Sequence, residues 1–245
     1  MKFPQPLIEG TLVQRYKRFL ADVRLASGEV VVAHCANSGS MLSVKEPGSR
    51  VWLSPAADPN RKLRYTWELI AVGDALVGIN TGHPNRLVAE AITEGRIEEL
   101  TGYPVLKREQ KYGKNSRIDI LLEAPGRPPC YVEIKNVTMK RGNGKQAGGD
   151  LAEFPDAVTE RGAKHLREMT DIVAAGGRAV MVYLVQRTDC RRFSVAGDID
   201  PGYAAGLAAA RTAGVETVCY GCRIGLDAIT VAGPLTLDLP SPRHT

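Results

Sequence analysis

The chain has 245 residues, 44% of them hydrophobic, which is enough to bury a core in one large domain or in two of ordinary size. That composition excludes a wholly disordered chain. The formal net charge of +5 suits a polyanionic partner but is also common among enzymes, so charge alone does not decide the function. No stretch approaches the roughly 18 apolar residues that span a bilayer, and the beginning of the chain lacks a signal-peptide pattern. We therefore expect a cytoplasmic protein without a membrane partner.

The five cysteines form an odd number without the spacing of a disulfide framework, which favours a reducing compartment and no disulfides. Cys219 and Cys222 have the CxxC spacing of zinc and redox sites. No second pair follows them. We therefore interpret the two residues as small core residues of a strand.

Residues 1–82 form the first predicted domain. Short strand-like runs alternate there with turn signals such as Ser27-Gly28 and Pro47-Gly48. Closely spaced strands without a long helix predict a small all-β barrel, and the OB-fold is the nucleic-acid-binding barrel of this size. The strand candidates are 7–16, 19–25, 30–35, 50–54 and one long run, 61–80.

Residues 83–239 form the second predicted domain. Apolar residues recur at helical spacing from Asn85 onward, and a Gly-rich stretch at 140–151 predicts a mobile loop. The alternation of strands and helices predicts an α/β sheet with helices on both faces. The strand candidates are 105–112, 116–123, 130–139, 178–185 and 215–221, and further helices are expected at 158–174 and after Asp200-Pro201. Residues 240–245 are expected to be a disordered tail.

The most informative stretch is the run from Ser116 to Val137. Its turn signal, Ala-Pro-Gly-Arg-Pro-Pro, predicts an antiparallel hairpin centred near Gly126. Asp119 and Glu133 lie seven residues on either side of that centre, so they are opposed and point to the same face. Lys135 follows on that face, while the neighbouring isoleucines and valine point to the core.

Two carboxylates and an amine on one face are the groups that a phosphodiester hydrolase needs. Converging carboxylates bind a hard divalent cation, Mg²⁺ or Mn²⁺, and a lysine can orient the attacking water. Asp119, Glu133 and the main-chain carbonyl of Ile134 are the candidate metal ligands. The alternative is a solvated hairpin face with an ordinary cross-strand ion pair.

A second cluster of candidate phosphate contacts lies in the helix predicted from residue 158. Arg161 and His165 are four residues apart and share a helix face, with Lys164 between them and Thr159 as a possible N-cap. Arg117, two residues before Asp119, is a further candidate contact. The alternative is a solvated amphipathic helix.

The run from Arg61 to Trp67 interleaves basic and aromatic residues, as in platforms on which single-stranded nucleic acid stacks. Tyr65 and Trp67 share a strand face with Leu63, which equally describes a barrel core. In that case Lys62 and Arg64 point outward.

Several separated blocks carry a resemblance to the sugar fermentation stimulation protein (SfsA) family, and it extends from about residue 6 to 237. The blocks are HCANSGSM (34–41), YTWEL (65–69), NRLVAEAI (85–92), KYGKNSRID (111–119), YVEIKNVT (131–138) and FPDAVTERGAKHL (154–166). Ala36 stands where the family usually has Pro, a departure in a loop.

The resemblance implies an OB-like domain followed by a mixed α/β domain of the PD-(D/E)xK nuclease type, flanked by helices. Asp119, Glu133 and Lys135 match the nuclease signature, and Glu90 is the helix carboxylate that often completes such sites. Members of the family are described as DNA-binding, with a regulatory link to sugar, especially maltose, metabolism. Two functions therefore stay open: a Mg²⁺- or Mn²⁺-dependent DNA nuclease and a non-catalytic DNA-binding regulator. The sequence leaves open whether the protein is a monomer or a homodimer.

Overall fold

The computed structural model describes residues 1–58, 60–112, 116–141 and 149–239. Its N-terminal part is a closed five-stranded barrel in which the chain order β1-β2-β3-β5-β4 returns to β1. Among the described barrel pairings, only β3–β5 is parallel. The barrel strands are β1 (Ile8–Tyr16), β2 (Leu20–Leu25), β3 (Val30–Cys35), β4 (Arg50–Pro55) and β5 (Tyr65–Val72), and β6 (Ala75–Gly78) extends the sheet beyond β5. This architecture confirms the expected OB-type barrel.

The barrel core explains the alternating pattern of its strands. Leu12, Val23, Ala33 and Trp67 are fully or almost fully buried inside it. The single strand expected over 61–80 was wrong, because the chain reverses between β5 and β6 at Gly73, whose φ of +58° suits glycine.

The second part is built on a six-stranded mixed sheet in the order β14-β13-β11-β9-β8-β7. The three central strands run parallel, and β11 is buried along almost its whole length because helices or the barrel cover both faces. The strands are β7 (Val105–Tyr112), β8 (Ser116–Glu123), β9 (Cys130–Val137), β11 (Arg178–Val185), β13 (Glu216–Ile224) and β14 (Ile229–Pro234).

Among the residues that the structure describes, three α-helices flank this sheet. Helix α1 (Pro84–Thr93) packs on one face, and α2 (Glu160–Ala174) and α3 (Pro201–Thr212) pack on the other. Thr159 caps α2 by accepting from the N–H of Gly162 at 3.0 Å. Asp200 caps α3 and also accepts from the N–H of Thr159 at 2.8 Å, so one carboxylate fixes the beginning of both helices. No helix in the described part of the chain is long and apolar enough to cross a membrane.

A small parallel sheet, in the order β10-β12-β15, was not expected from the sequence. Its strands, β10 (Leu151–Phe154), β12 (Arg192–Val195) and β15 (Thr236–Leu237), are too short to show a clear period of two. Strand β10 begins at Leu151, the last residue of the mobile loop predicted over 140–151. Residues 142–148 of that Gly-rich stretch and the tail 240–245 lie outside the described residues.

The two parts are joined by main-chain hydrogen bonds. The N–H of Gly78 donates to the carbonyl of Gln186 at 3.0 Å, and Val77 is paired with Arg187. Arg187 is buried, donates twice to the carboxylate of Asp189, at 2.9 and 3.0 Å, and donates to the carbonyl of Thr138. The barrel is therefore attached at the C-terminal end of the central strands.

The CxxC pair lies in the core. Cys219 packs among the residues under α2 and α3, whereas Cys222 packs in the cluster under α1, so the thiols lie on opposite faces of β13. Burial raises the pKa of Cys222 to about 12. These positions agree with the core interpretation.

Candidate active site

The β8–β9 hairpin has the register expected from its sequence. Leu122 pairs with Cys130 and Ile120 with Val132, so the next positions, Asp119 and Glu133, are opposed. The ladder ends at Ile120. Beyond it, the N–H of Ile134 donates to Oδ2 of Asp119 at 2.7 Å. The carboxylate of Asp119 therefore lies between the ends of two diverging strands.

Glu133 is the most buried member of the site, with only 3% of its surface exposed. Its Oε1 accepts from Nζ of Lys135 at 2.7 Å and is in contact with Nδ1 of His165. Its Oε2 is buried and has no hydrogen-bond partner among the described residues. An orphaned carboxylate oxygen is costly in a protein interior, which marks a position where a ligand would be stabilising.

The two carboxylates influence each other electrostatically. Burial, followed by the negative charge of Glu133, raises the pKa of Asp119 to about 6, although Ile134 and Asn85 donate to it. Burial also acts to raise the pKa of Glu133, but the contacts with His165 and Lys135 outweigh it and lower this pKa. The pair thus holds two negative charges close together at neutral pH.

Two polar residues at this site were missed in the sequence. The side-chain amide of Asn85 donates to Oδ1 of Asp119 at 2.8 Å and to Oε1 of Glu109 at 3.1 Å. Glu109 could have been found by the argument that found Glu133, because the run Gly113-Lys114-Asn115-Ser116 has the composition of a turn, and the β7–β8 register places Glu109 opposite Asp119. Whether Asn85 contacts Asp119 depends on how α1 packs on the sheet, and no local sequence pattern predicts that packing.

Glu90 makes its contacts away from Asp119 and Glu133. Its carboxylate accepts from the N-terminal amine of Met1 at 2.7 Å and from Nε of Arg86 at 2.8 Å. Glu90 follows Asn85 by five residues and is rotated by about 140° around the helix axis from it, at about 100° per residue. Asn85, rather than the expected Glu90, is therefore the residue of α1 that reaches Asp119.

The basic residues of α2 differ in exposure. His165 is buried against Glu133, which corrects the expectation of a phosphate-facing imidazole. Arg161 is exposed and its Nε lies 3.4 Å from Nε2 of His165, whereas Lys164 contacts Ser116 and Glu168. Arg117 is exposed on β8. Of the predicted phosphate contacts of this domain, Arg161 and Arg117 are the most accessible.

On the barrel, Lys62 and Arg64 are exposed and line a groove of about 790 Å³ together with residues 30–32 of β3. Val30 and Val32 line it and are exposed. Trp67 is fully buried and Tyr65 partly so, in agreement with the core interpretation of these two aromatic residues.

Comparison with known protein families assigns both parts of the chain. Residues 13–79 match the SfsA N-terminal OB domain, and residues 82–228 match the sugar fermentation stimulation protein RE domain. The chain belongs to the sugar fermentation stimulation protein family. A homologue from Paramagnetospirillum magneticum is 59% identical over 98% of both chains, and one from Rhodospirillum rubrum is 62% identical over 91% of this chain and 93% of the other.

A solved structure of this family has the same fold. It is described as the structure of Pyrococcus furiosus SfsA in complex with Ca²⁺, and it matches with a TM-score of 0.86 and 26% sequence identity over 98% of both chains. Among the described residues of the present chain, no three His, Cys, Asp or Glu side chains are grouped so that they could hold a metal ion. Any cation here would therefore need main-chain or water oxygens besides two carboxylates.

Proposed function

We propose that this family member is a divalent-cation-dependent nuclease of the PD-(D/E)xK type that cleaves phosphodiester bonds in DNA. The proposal rests on one observation: Asp119 and Glu133 meet where two strands diverge, with the ammonium group of Lys135 2.7 Å from Glu133. An ion pair on a solvated hairpin face would be exposed, but here Glu133 is buried and Lys135 nearly so.

The residues fit a divalent cation. Asp119 and Glu133 are hard oxygen ligands, burial and then the negative charge of Glu133 raise the pKa of Asp119, and Oε2 of Glu133 is unpaired among the described residues. We propose that Asp119, Glu133 and the carbonyl of Ile134 would hold Mg²⁺ or Mn²⁺. The P. furiosus protein was solved in complex with Ca²⁺, which is consistent with a divalent cation in this family.

The surrounding side chains have distinct proposed roles. A bound divalent cation supplies Lewis-acid polarisation of the phosphoryl oxygen and a water of lowered pKa. Lys135 would orient the attacking water and stabilise the negative charge that develops on the phosphate. His165 holds Oε1 of Glu133 and so fixes the carboxylate. Arg161, exposed beside His165, is placed to contact the phosphate backbone.

The barrel is the second proposed contact for DNA. OB-folds bind oligonucleotides on the surface of their second and third strands and on the adjacent loops. The groove with Lys62 and Arg64 lies on that surface, and its cations complement a phosphate backbone. Phe19, 50% exposed next to β2, adds an aromatic ring on which a base can stack.

A cytoplasmic location and the oligomeric state stay predictions.

The test is a cleavage assay on single-stranded, duplex and branched DNA with Mn²⁺, Mg²⁺, Ca²⁺ or EDTA. We expect cleavage with Mn²⁺ or Mg²⁺ only, and its loss in Asp119→Asn and Glu133→Gln. The matched control is Glu123→Gln, since Glu123 lies on the same strand as Asp119 but pairs with Lys107 near the protein surface. This control should cleave like the parent protein.

The competing function is a non-catalytic DNA-binding regulator of sugar metabolism. A protein that binds DNA, cleaves none of the three substrates with any cation and prefers one operator sequence would establish that function instead. Cleavage that survives in both carboxylate variants would place the active site elsewhere.

A further inference from the structure

Asn85 joins two carboxylates that come from neighbouring strands. An amide NH₂ group has two hydrogens, and those of Asn85 reach Asp119 of β8 and Glu109 of β7. Arg108 pairs with Ile120 and Gln110 with Ile118, so Glu109 and Asp119 occupy opposed positions in the same ladder. The amide therefore links a pair of like charges that would otherwise repel each other.

Glu109 has an unusual backbone conformation at this position. Its φ is +53°, in the left-handed region that residues other than glycine rarely adopt, and the Glu109–Asp119 pairing is missing from an otherwise regular register. Backbone conformations of this kind persist where the surroundings determine them, and they are concentrated at functional sites. Here the contact with Asn85 is the interaction that holds the Glu109 side chain beside Asp119.

The beginning of α1 is itself held by the barrel. Nε2 of His83, the residue before the helix, lies 2.7 Å from the buried carboxylate of Glu68, which also accepts from Asn80 and Ser54. Pro84 follows with its fixed φ, so the backbone immediately before Asn85 has little freedom. The barrel thus sets the place from which Asn85 reaches Asp119.

We propose that Asn85 is a positioning residue of the cation site. Asn85 fixes the orientation of the Asp119 carboxylate by donating to Oδ1 while Ile134 donates to Oδ2. It also holds the carboxylate of Glu109 near Asp119 through its second hydrogen bond, as a further negative charge for the hydrated cation. The inference depends on the cation site of the proposed function. Glu109 acts through the hydration shell, which divalent cations such as Mg²⁺ usually retain in part.

Calorimetric titration of the full chain with Ca²⁺ alone, in the absence of DNA, tests this role. Asn85→Ala should weaken Ca²⁺ binding by about tenfold or more, as is usual for residues that orient metal ligands, while the cation-free variant still unfolds in a single cooperative transition. Glu109→Gln should also weaken binding, and the double variant should lose less than the product of the two single losses, because both act through one contact. Arg86→Ala, the neighbouring residue of the same helix, should bind Ca²⁺ like the parent.

The outcomes separate this inference from the proposed function. A parent protein that does not bind Ca²⁺ would overturn the cation site and the inference together. Parent-like Ca²⁺ affinity in Asn85→Ala, with Asp119→Asn failing to bind, would leave the site intact and overturn the role of Asn85. If Asn85→Ala does not fold, the exposed Glu109→Gln decides, and parent-like Ca²⁺ binding in that variant overturns the proposal.

Discussion

The side-chain carboxylate of Asp119, rather than the main chain of a neighbouring strand, is the hydrogen-bond partner of the Ile134 N–H. The hairpin ladder ends at the pair of Ile120 and Val132, and the N–H of Ile134 then donates to the Asp119 carboxylate at 2.7 Å. A buried main-chain N–H needs a partner, so the side chain that satisfies it also permits the strands to diverge. The same contact holds a carboxylate next to Glu133, where burial and charge raise the pKa of Asp119 to about 6.

This raised pKa predicts a pH dependence of stability. Between about pH 4 and pH 6 the folded protein retains a proton on Asp119 that the unfolded chain, with an ordinary Asp pKa near ~3.9, has lost. The contribution of Asp119 to the free energy of unfolding is therefore fully present below about pH 4 and is lost as the pH rises through about 6. Asp119→Asn should lack this decline.

The measurement is urea unfolding of the cation-free parent and of Asp119→Asn from pH 4 to 8. The asparagine cannot accept from both Ile134 and Asn85, so a loss of stability that is constant with pH is expected besides the pH-dependent difference. Parallel stability curves for the two proteins across this range would show that the pKa of Asp119 is not raised.

The second prediction concerns His165. His165→Ala removes one of the two partners of Oε1 of the buried Glu133 carboxylate and should lower the free energy of unfolding by about 1.5–3 kcal/mol, the scale of a hydrogen bond to a charged group. Arg167→Ala, two residues along the same helix and exposed, should change it by less than about 0.5 kcal/mol. Chemical denaturation measures both. Equal effects of the two substitutions would mean that His165 does not support Glu133.

The third prediction concerns the two tyrosine hydroxyls beneath the site. Tyr183 and Tyr203 are both fully buried, and their oxygens are 2.5 Å apart. Replacing either tyrosine alone with Phe leaves the other hydroxyl without its partner and should lower the free energy of unfolding by about 1–3 kcal/mol. Replacing both removes both hydroxyls and should lower it by less than the sum of the two single losses. A double-mutant cycle measures this difference. Additive losses would indicate that each hydroxyl is satisfied without the other.

The sequence was sufficient where a local rule connects residues. A turn signal and the period of two place Asp119 opposite Glu133, and they would have placed Glu109 opposite Asp119 as well. The sequence was insufficient where packing decides. Asn85 and Glu90 lie on one amphipathic helix, and only the docking of α1 determines which of them meets Asp119. The burial of His165 depends in the same way on the docking of α2.

The fold shows the same division. The barrel and five of the six strands of the central sheet follow from strand periodicity and buried apolar runs such as β11, whereas the edge strand β14 was not among the predicted strands. The small sheet of β10, β12 and β15 has strands of two to four residues, which are held by partners distant in sequence rather than by their own composition. Such pairings are set by tertiary structure, and short windows of sequence do not reveal them.

The last prediction concerns how DNA is held, and it compares cations of the two proposed surfaces. Binding should be mainly electrostatic, with log K falling against log salt by roughly 0.7–0.9 for each phosphate contact. Lys62→Ala and Arg64→Ala on the barrel, and Arg161→Ala on α2, should each weaken binding to all sequences alike, and each should reduce that salt slope by roughly 0.7–0.9. For Arg161→Ala the loss should be about 1–3 kcal/mol, the scale of a charged hydrogen bond.

Fluorescence anisotropy with a labelled oligonucleotide in EDTA, at several salt concentrations, measures these affinities without cleavage. Arg223→Ala is the matched control, because Arg223 is an exposed cation of β13, a strand on the side of the central sheet away from β7 and β8. If the control weakens binding as much as Arg161→Ala does, net charge rather than a defined surface holds the DNA. If Arg161→Ala binds like the parent while Lys62→Ala and Arg64→Ala abolish binding, the barrel alone grips the DNA, and the substrate does not lie over the β8–β9 hairpin as we propose.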